Sequence, residues 1–341
     1  MANRMQVILP ALLILIATWG CQRREALNPV RIQGETQGTY YAITYFDSLS
    51  RNFSPQIDSI LHAIDWSVSV YNKESLISRL NNNKTDSVDL IFTENLRIAA
   101  EVSEASGGAF DCTIGRLIEA WGWGFSKRNE ITPALIDSLR GIAGYNRVAI
   151  ENGRLVKEDT GIIVNFNAIA QGYTSDLIAR FLHAQGVHHF LVDVGGELVA
   201  SGTKPGEVLW TIGIELPTED NTVPEDLNDR PTRAVLSITD KGVATSGNYR
   251  KFYVENGVKY SHTIDPSTGY PVKHSLLSAT VVACDATTAD AWATAFMVMG
   301  LEKAIVMLEK HPELQAYFIY SDEAGNDRTW MSDGLKASIT E

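Results

Sequence analysis

The sequence predicts an α+β fold, with antiparallel sheets and flanking helices in one two-lobed domain. Three observations lead there. Apolar residues recur with period two in some segments and near 3.6 in others, without the strand–helix alternation of a doubly wound sheet. Short turn signals such as Asn152-Gly153 and Glu255-Asn256-Gly257 join neighbouring strand patterns. No fixed-period repeat and no low-complexity linker interrupts residues 30–338.

The elements follow in order. Val30–Phe46 alternates through Thr39, Tyr41, Ile43 and Tyr45, which reads as a strand interrupted at Gln37-Gly38-Thr39. Ser54-Pro55 supplies a cap and a first-turn proline, and Ile57, Ile60, Leu61 and Ile64 give that helix its apolar face. Ser69–Tyr71 reads as extended, and Lys73–Leu80 as a short helix stopped by three Asn. Phe92–Ser106 is a helix closed by Gly107-Gly108. Thr132-Pro133 opens another, and Val148–Val156 forms a hairpin. Ile162–Ile178 runs from strand to helix, with Ile169, Tyr173, Leu177 and Phe181 as its buried stripe. His189–Val194 is a strand ending in Gly195-Gly196. Leu209–Glu215 and Ala234–Thr239 are strands on either side of a polar, acidic loop, Pro217–Arg233. Gly242–Asn248 is small and polar, and Phe252–Thr263 holds two strands. Val281–Gly300 begins apolar and becomes helical, Glu302–Glu309 is helical, and Gln315–Tyr320 pairs with Arg328–Met331.

At 341 residues the chain can bury a large core. A formal charge of −12 without a Lys/Arg-rich run argues against a nucleic-acid surface. It still allows an anionic substrate held locally by a metal and backbone amides. Near the N-terminus, Val7–Ala17 is apolar but too short to span a bilayer comfortably. It ends at Thr18-Trp19-Gly20-Cys21, and a small residue before Cys in that position resembles a bacterial lipoprotein signal. Residues 1–20 then read as a signal peptide, Cys21 as the lipidated first residue, 21–30 as a tether and 31–338 as the folded domain. The implied location is the bacterial cell envelope, lipid-anchored to the inner membrane and facing the periplasm. An uncleaved anchor and plain secretion are the alternatives. Cys112 and Cys284 lie outside any CxxC and read as small buried residues.

Several stretches can carry chemistry. Asp290 and Thr294 are four apart and share a helix face. A carboxylate beside a hydroxyl offers the hard oxygen ligands that Mg²⁺ takes. Alternatively, Asp290 favours the helix dipole and Thr294 packs. Trp121-Gly122-Trp123 is either a packed aromatic corner or a platform for a flat ring. The Ile162–Ile178 turn can aim amides and carbonyls at a ligand, but it carries no P-loop pattern. No GxGxxG spacing follows a strand, so no dinucleotide fingerprint is present. His262 precedes Asp-Pro-Ser-Thr-Gly, turn chemistry able to hold it rigidly.

In chain order, Gly38-Thr39, SVYNKESLISRLN, GAFDCTIGRLIEAWGWG, AIAQGYTSD, LVDVGGE, GVATSGNYRKF, SHTIDPSTGYPV and ADAWAT together resemble the ApbE family. These are Mg²⁺-dependent FAD:protein FMN transferases, many of them lipoproteins. The likeness covers nearly everything from Ile32 to Met331. It implies a T-fold-like arrangement of antiparallel sheet and flanking helices. It implies Asp290, Thr294 and the Ala170 carbonyl as Mg²⁺ ligands. It also implies FAD contacts from Gln37, Tyr71, Trp121, Gly122, Trp123, Asn167, Tyr173, Ile264 and Asp265. Asn165 and Gln171 stand where the family commonly has Asp and Lys.

The reaction so implied is phosphoryl transfer. A Ser or Thr hydroxyl of an acceptor protein attacks the FMN-side phosphorus of FAD, and AMP leaves. Such chemistry needs positioning and charge neutralisation above all. His262 is the candidate to accept the hydroxyl proton. A contact to flavin or a place in the core is its other reading. Asp265 reads as the cap of its own turn. Two alternatives stay open: a Mg²⁺-dependent FAD pyrophosphatase giving FMN and AMP, and a non-catalytic FAD-binding lipoprotein. By resemblance the acceptor is a membrane or periplasmic redox subunit with a short Ser/Thr-containing motif.

Overall fold

An eight-stranded antiparallel sheet carries the molecule, and its strand order explains which distant segments meet. The computed structural model describes residues 28–123, 130–217, 231–248, 252–255 and 258–340. The expected signal peptide, Cys21, the GWGF run beyond Trp123 and most of the loop Pro217–Arg233 lie outside these residues.

β1 (Val30–Thr36) and β2 (Thr39–Tyr45) are two strands where the sequence reads as one. The chain reverses at Gln37-Gly38, with φ of 51° and 73°. The alternation continues through both arms, so Ile32, Tyr41, Ile43 and Tyr45 bury in one cluster. α1 (Ser54–Val68), α2 (Leu76–Asn81), α3 (Leu90–Ala105), α4 (Gly115–Ala120) and α5 (Pro133–Ile142) follow. Ser75, Asp89 and Thr132 cap α2, α3 and α5 by accepting backbone N–H bonds, the usual remedy for orphan helix amides. Ser69–Tyr71, expected as extended, leads into a turn closed by Asn72 N donating to Ser69 O at 3.3 Å. β3 (Val148–Glu151) and β4 (Arg154–Lys157) form the hairpin read at Asn152-Gly153.

Ile162–Val164 joins no sheet. Ile163 makes a single parallel bridge to Ile114. The Asn81 side chain takes both Val164 N and Val164 O, at 2.9 and 2.8 Å, and Asn165 N donates to Cys112 O. Ile163 O accepts from Gly115 N and Ile162 N donates to Asp159 O, so the apolar run is held without a neighbouring strand. α6 (Ala170–Ala184) is buried on two sides. Ile169, Ala170 and Tyr173 enter one core, and Ile178, Ala179 and Leu182 enter another.

The chain then gives β5 (Phe190–Val194), β6 (Glu197–Ser201), β7 (Trp210–Glu215), β8 (Thr232–Ile238), β9 (Lys241–Gly247), β10 (Phe252–Glu255) and β11 (Val258–Ser261). β12 (Leu276–Ala283), α7 (Ala286–Met299), α8 (Leu301–Lys310), β13 (Gln315–Ser321), β14 (Asp327–Met331) and β15 (Ile339–Thr340) complete it. The large sheet runs β1-β2-β5-β6-β9-β12-β13-β14, and a small one runs β15-β8-β7. Because β15 pairs with β8 and β1 starts at Val30, the fold extends slightly past both expected limits of 31–338.

Alternation along the strands sorts the core into layers. Ala279, Val281, Ala283, Ala316 and Phe318 face the helices. Val282, Tyr317 and Ile319 face the small sheet, joining Trp210, Ile212 and Leu236. A separate cluster gathers Ile114, Leu117, Trp121, Ile136 and Ile264.

Gly242–Asn248, read only as small and polar, is for the most part the central strand β9, between β6 and β12. Its composition follows from α7 lying directly upon it. A Cβ at Gly242 would fall 2.1 Å from Asp285 C and 2.2 Å from Ala286 N. Larger side chains there would push the helix off the sheet, so the usual strand signature is missing.

Candidate active site

The site is built where α6 crosses α7. Gly172 makes the crossing possible, since a Cβ there would lie 2.4 Å from Ala286 O and 2.9 Å from Thr287 Cα. With the backbones in contact, Gly172 N donates to Asp290 Oδ2 at 3.2 Å. One turn further along α6, Asp176 accepts from Ala286 N at 2.9 Å, Thr287 N at 2.8 Å and the Thr287 hydroxyl. Asp285 caps the same end by accepting from Thr288 N at 2.7 Å. The first turn of α7 is thus tied by carboxylates, one on α6 and one on its own cap.

Asp290 is 6% exposed. Burial raises its carboxyl above the ordinary range. The Gly172 amide opposes this shift and the nearby Asp176 charge adds to it. No ion pair to Asp290 occurs among the described residues. A buried carboxylate short of counter-charge is one that a bound cation would relieve. Thr294 lies one turn on, with Oγ1 3.2 Å from Ser246 Oγ on β9. Ala170 O accepts from Thr174 Oγ1 at 2.7 Å, and Thr174 Oγ1 accepts from Gln37 Nε2 at 2.6 Å. A carboxylate, a hydroxyl and a carbonyl are each hard oxygen donors of the kind a divalent cation takes. No group of three or more His, Cys, Asp or Glu converges anywhere among the described residues, this crossing included.

Tyr173 apart, the residues expected to contact flavin fall into three places. Gln37 sits at the β1-β2 turn, bonded to Thr174 beside the crossing. Tyr71 is 53% exposed, and its hydroxyl accepts from Asn167 Nδ2 at 3.2 Å, just before α6. The remainder form an aromatic corner. Trp121 is buried, donates Nε1 to Gly269 O at 2.8 Å and meets Tyr270 edge-on at 5.7 Å. Past Gly122, Trp123 meets His262 edge-on at 6.1 Å. Ile264 is buried and bridges to Pro271, while Asp265 accepts from Ser267 N and Oγ at 2.8 and 2.7 Å, capping its own turn. A cleft of about 530 Å³ runs beside this corner, lined by Trp121, Asp265, Tyr270 and Lys273 among others.

Tyr173 is not open to a ligand. It is 1% exposed, its hydroxyl donates to Glu94 Oε2 at 2.5 Å, and Arg180 lies over its ring at 5.2 Å. Burial, then the Glu94 carboxylate, holds its hydroxyl protonated well above the ordinary range. The helical stripe that includes Tyr173 is core, as its spacing suggests, and leaves no face for flavin.

A family model described as the ApbE family matches residues 37–318. The chain belongs to the ApbE family. It is 33% identical over 310 residues to the FAD:protein FMN transferase of Vibrio cholerae, covering 88% of this chain and 90% of that protein. The corresponding Escherichia coli K12 protein is 32% identical over 324 residues, covering 90% and 88%. Among solved structures, the Vibrio cholerae flavin transferase ApbE superposes with a TM-score of 0.79 at 30% identity, covering 92% of this chain and 99% of that one. The apo Pseudomonas stutzeri flavinyl transferase ApbE gives 0.80 at 30%, covering 92% and 97%. The ApbE likeness read from the motifs therefore extends to the whole fold.

Four residues at the crossing were not singled out from the sequence: Gly172, Thr174, Asp176 and Ser246. The first three lie within AIAQGYTSD. Their spacing puts Gly172 and Asp176 on one face of α6, a small residue beside an acid, which is the available signal. Ser246 carries no comparable signal, because β9 itself was not recognised as a strand.

Proposed function

We propose that the chain transfers FMN from FAD to a Ser or Thr hydroxyl of an acceptor protein and releases AMP, with Mg²⁺ held by Asp290, Thr294 and the Ala170 carbonyl. The observation that carries this reading is the buried Asp290 carboxylate at the α6–α7 crossing, bonded to the Gly172 amide and without an ion pair among the described residues, in an ApbE chain whose relatives are named FAD:protein FMN transferases. A Mg²⁺ ion bound there supplies charge neutralisation at the pyrophosphate. The chain's own work is positioning. Gln37, Tyr71 and Asn167 line the approach to the crossing. Trp121, Gly122, Trp123 and the Ile264-Asp265 segment seat the flavin ring. His262, beside Trp123, takes the proton from the attacking hydroxyl as the new P–O bond forms and the bond to AMP breaks. The lipoprotein-like segment ending at Cys21 supports anchorage to the inner membrane facing the periplasm, with a membrane or periplasmic redox subunit as acceptor.

The test is to incubate the protein with FAD, Mg²⁺ and a redox-subunit domain bearing a Ser/Thr motif, then read flavin fluorescence in a denaturing gel. A fluorescent acceptor band that disappears with EDTA and with Asp290→Ala is expected. Mg²⁺-dependent AMP release without a band, across several acceptors, would replace transfer by FAD hydrolysis. Bound FAD with neither product would leave a carrier.

A further inference from the structure

We infer that Ser246 is a positioning residue for the cation site, holding the Thr294 hydroxyl so that its oxygen lone pair faces the ion. The inference rests on the metal reading above. When a hydroxyl oxygen ligates a cation, its proton must point elsewhere, and the ion's charge makes that proton a stronger donor. It therefore needs a fixed acceptor, as ligating side chains generally do. Ser246 Oγ lies 3.2 Å from Thr294 Oγ1 and is suited to that role.

The strand geometry explains why Ser246 serves and its neighbour does not. Successive residues on β9 face opposite sides of the sheet. Ala244 packs in the helix-side core, and Ser246 follows it on that face. Thr245 turns to the other side, where its hydroxyl meets Thr280 Oγ1 at 2.9 Å. β9 is also anchored along its length: Ser246 itself pairs with Ala279 of β12, while the β6 ladder and the press of α7 hold the Lys241–Val243 end. Its grip on Thr294 is therefore fixed by the sheet and not by a loop. With Thr294 donating to Ser246, the Ser246 proton is left free to donate to a further acceptor.

The test uses the full chain, freed of divalent ions, with Mn²⁺ as the probe read by electron paramagnetic resonance and no flavin present. Ser246→Ala is expected to weaken Mn²⁺ binding by about ten-fold while leaving the apo melting temperature unchanged, and Ser246→Thr is expected to restore binding. Wild-type affinity in Ser246→Ala, alongside loss of binding in Asp290→Ala, overturns the role of Ser246 and leaves the metal site standing. A lowered apo melting temperature with no rescue by Ser246→Thr marks a packing role and overturns it too. Unchanged affinity in Asp290→Ala removes the metal reading itself, and this inference with it.

Discussion

The α6–α7 crossing and the aromatic corner around Trp121 solve different problems with different materials. At the crossing, backbone touches backbone: Gly172 lies against Ala286, and carboxylates take amides directly. At the corner, side chains do the holding, through one indole bond and edge-on ring contacts. A cation demands oxygens at fixed distances, whereas a flat ring accepts a range of offsets. The crossing should therefore fail sharply under small changes, and the corner should degrade gradually.

The sharpest break is Gly172→Ala. Its new Cβ meets Ala286 O and C at 2.4 and 2.7 Å, backbone atoms that cannot swing aside. A cost of about 3 kcal/mol is expected, at the upper end for overpacking, with loss of the proposed Mg²⁺-dependent transfer. Urea denaturation of the two proteins checks it. Next comes Asp176→Asn. One acceptor oxygen becomes an amide facing the α7 N–H groups, leaving a buried donor unpaired, for about 2 kcal/mol. A smaller loss than at the corner would reverse the ranking of the two regions.

The third prediction uses pH. Burial, then the Asp285 charge, raises Asp176 from 3.8 to about 6, and burial raises Asp290 as well. A folded pKa above the unfolded one means that the native state binds the proton more tightly. Stability of the metal-free protein therefore falls as pH rises from about 4 through 6. On the proposed reading Mg²⁺ would compete with the proton on Asp290, so its affinity should rise over the same range and beyond. The increase in melting temperature on adding Mg²⁺ should be larger at pH 8 than at pH 6. Equal increments would dissociate Asp290 from the metal.

Much of this was legible from the chain because the signals are local. Asn152-Gly153 marks a hairpin wherever it occurs between such runs, Thr132-Pro133 marks a helix start, and the spacing of Asp290 and Thr294 puts both on one face of α7. What was missed depends on partners distant in sequence. β9 carries Gly242 and Ala244 because α7 rests on it, which erases the strand pattern. Ile162–Val164 has a strand's composition, but Asn81 takes both backbone groups of Val164, Ile163 O accepts from Gly115 N and Ile162 N donates to Asp159 O. Tyr173 is buried as its stripe predicts, while its flavin contact was implied only by the resemblance, and spacing reports burial and not what lies opposite. The bond from Gly172 to Asp290 spans 118 positions, so no window along the chain contains it.

The smallest effect sharpens the comparison from the other side. Trp121→Phe keeps a ring among Ile114, Leu117, Ile136 and Ile264 but removes the indole N–H that Gly269 O accepts. Gly269 N is separately held by Asp265 O at 2.7 Å, and Asp265 holds Ser267, so the turn keeps most of its bonds. The stability cost should be about 1 kcal/mol, the typical net worth of one hydrogen bond. The functional effect should fall on KM for FAD more than on kcat, because the ring seat loosens while the oxygens at the crossing stay in place. Steady-state kinetics with varied FAD measures this directly. A kcat loss as large as that of Gly172→Ala would mean that the corner and the crossing act as one rigid unit, and the division drawn between them would fall.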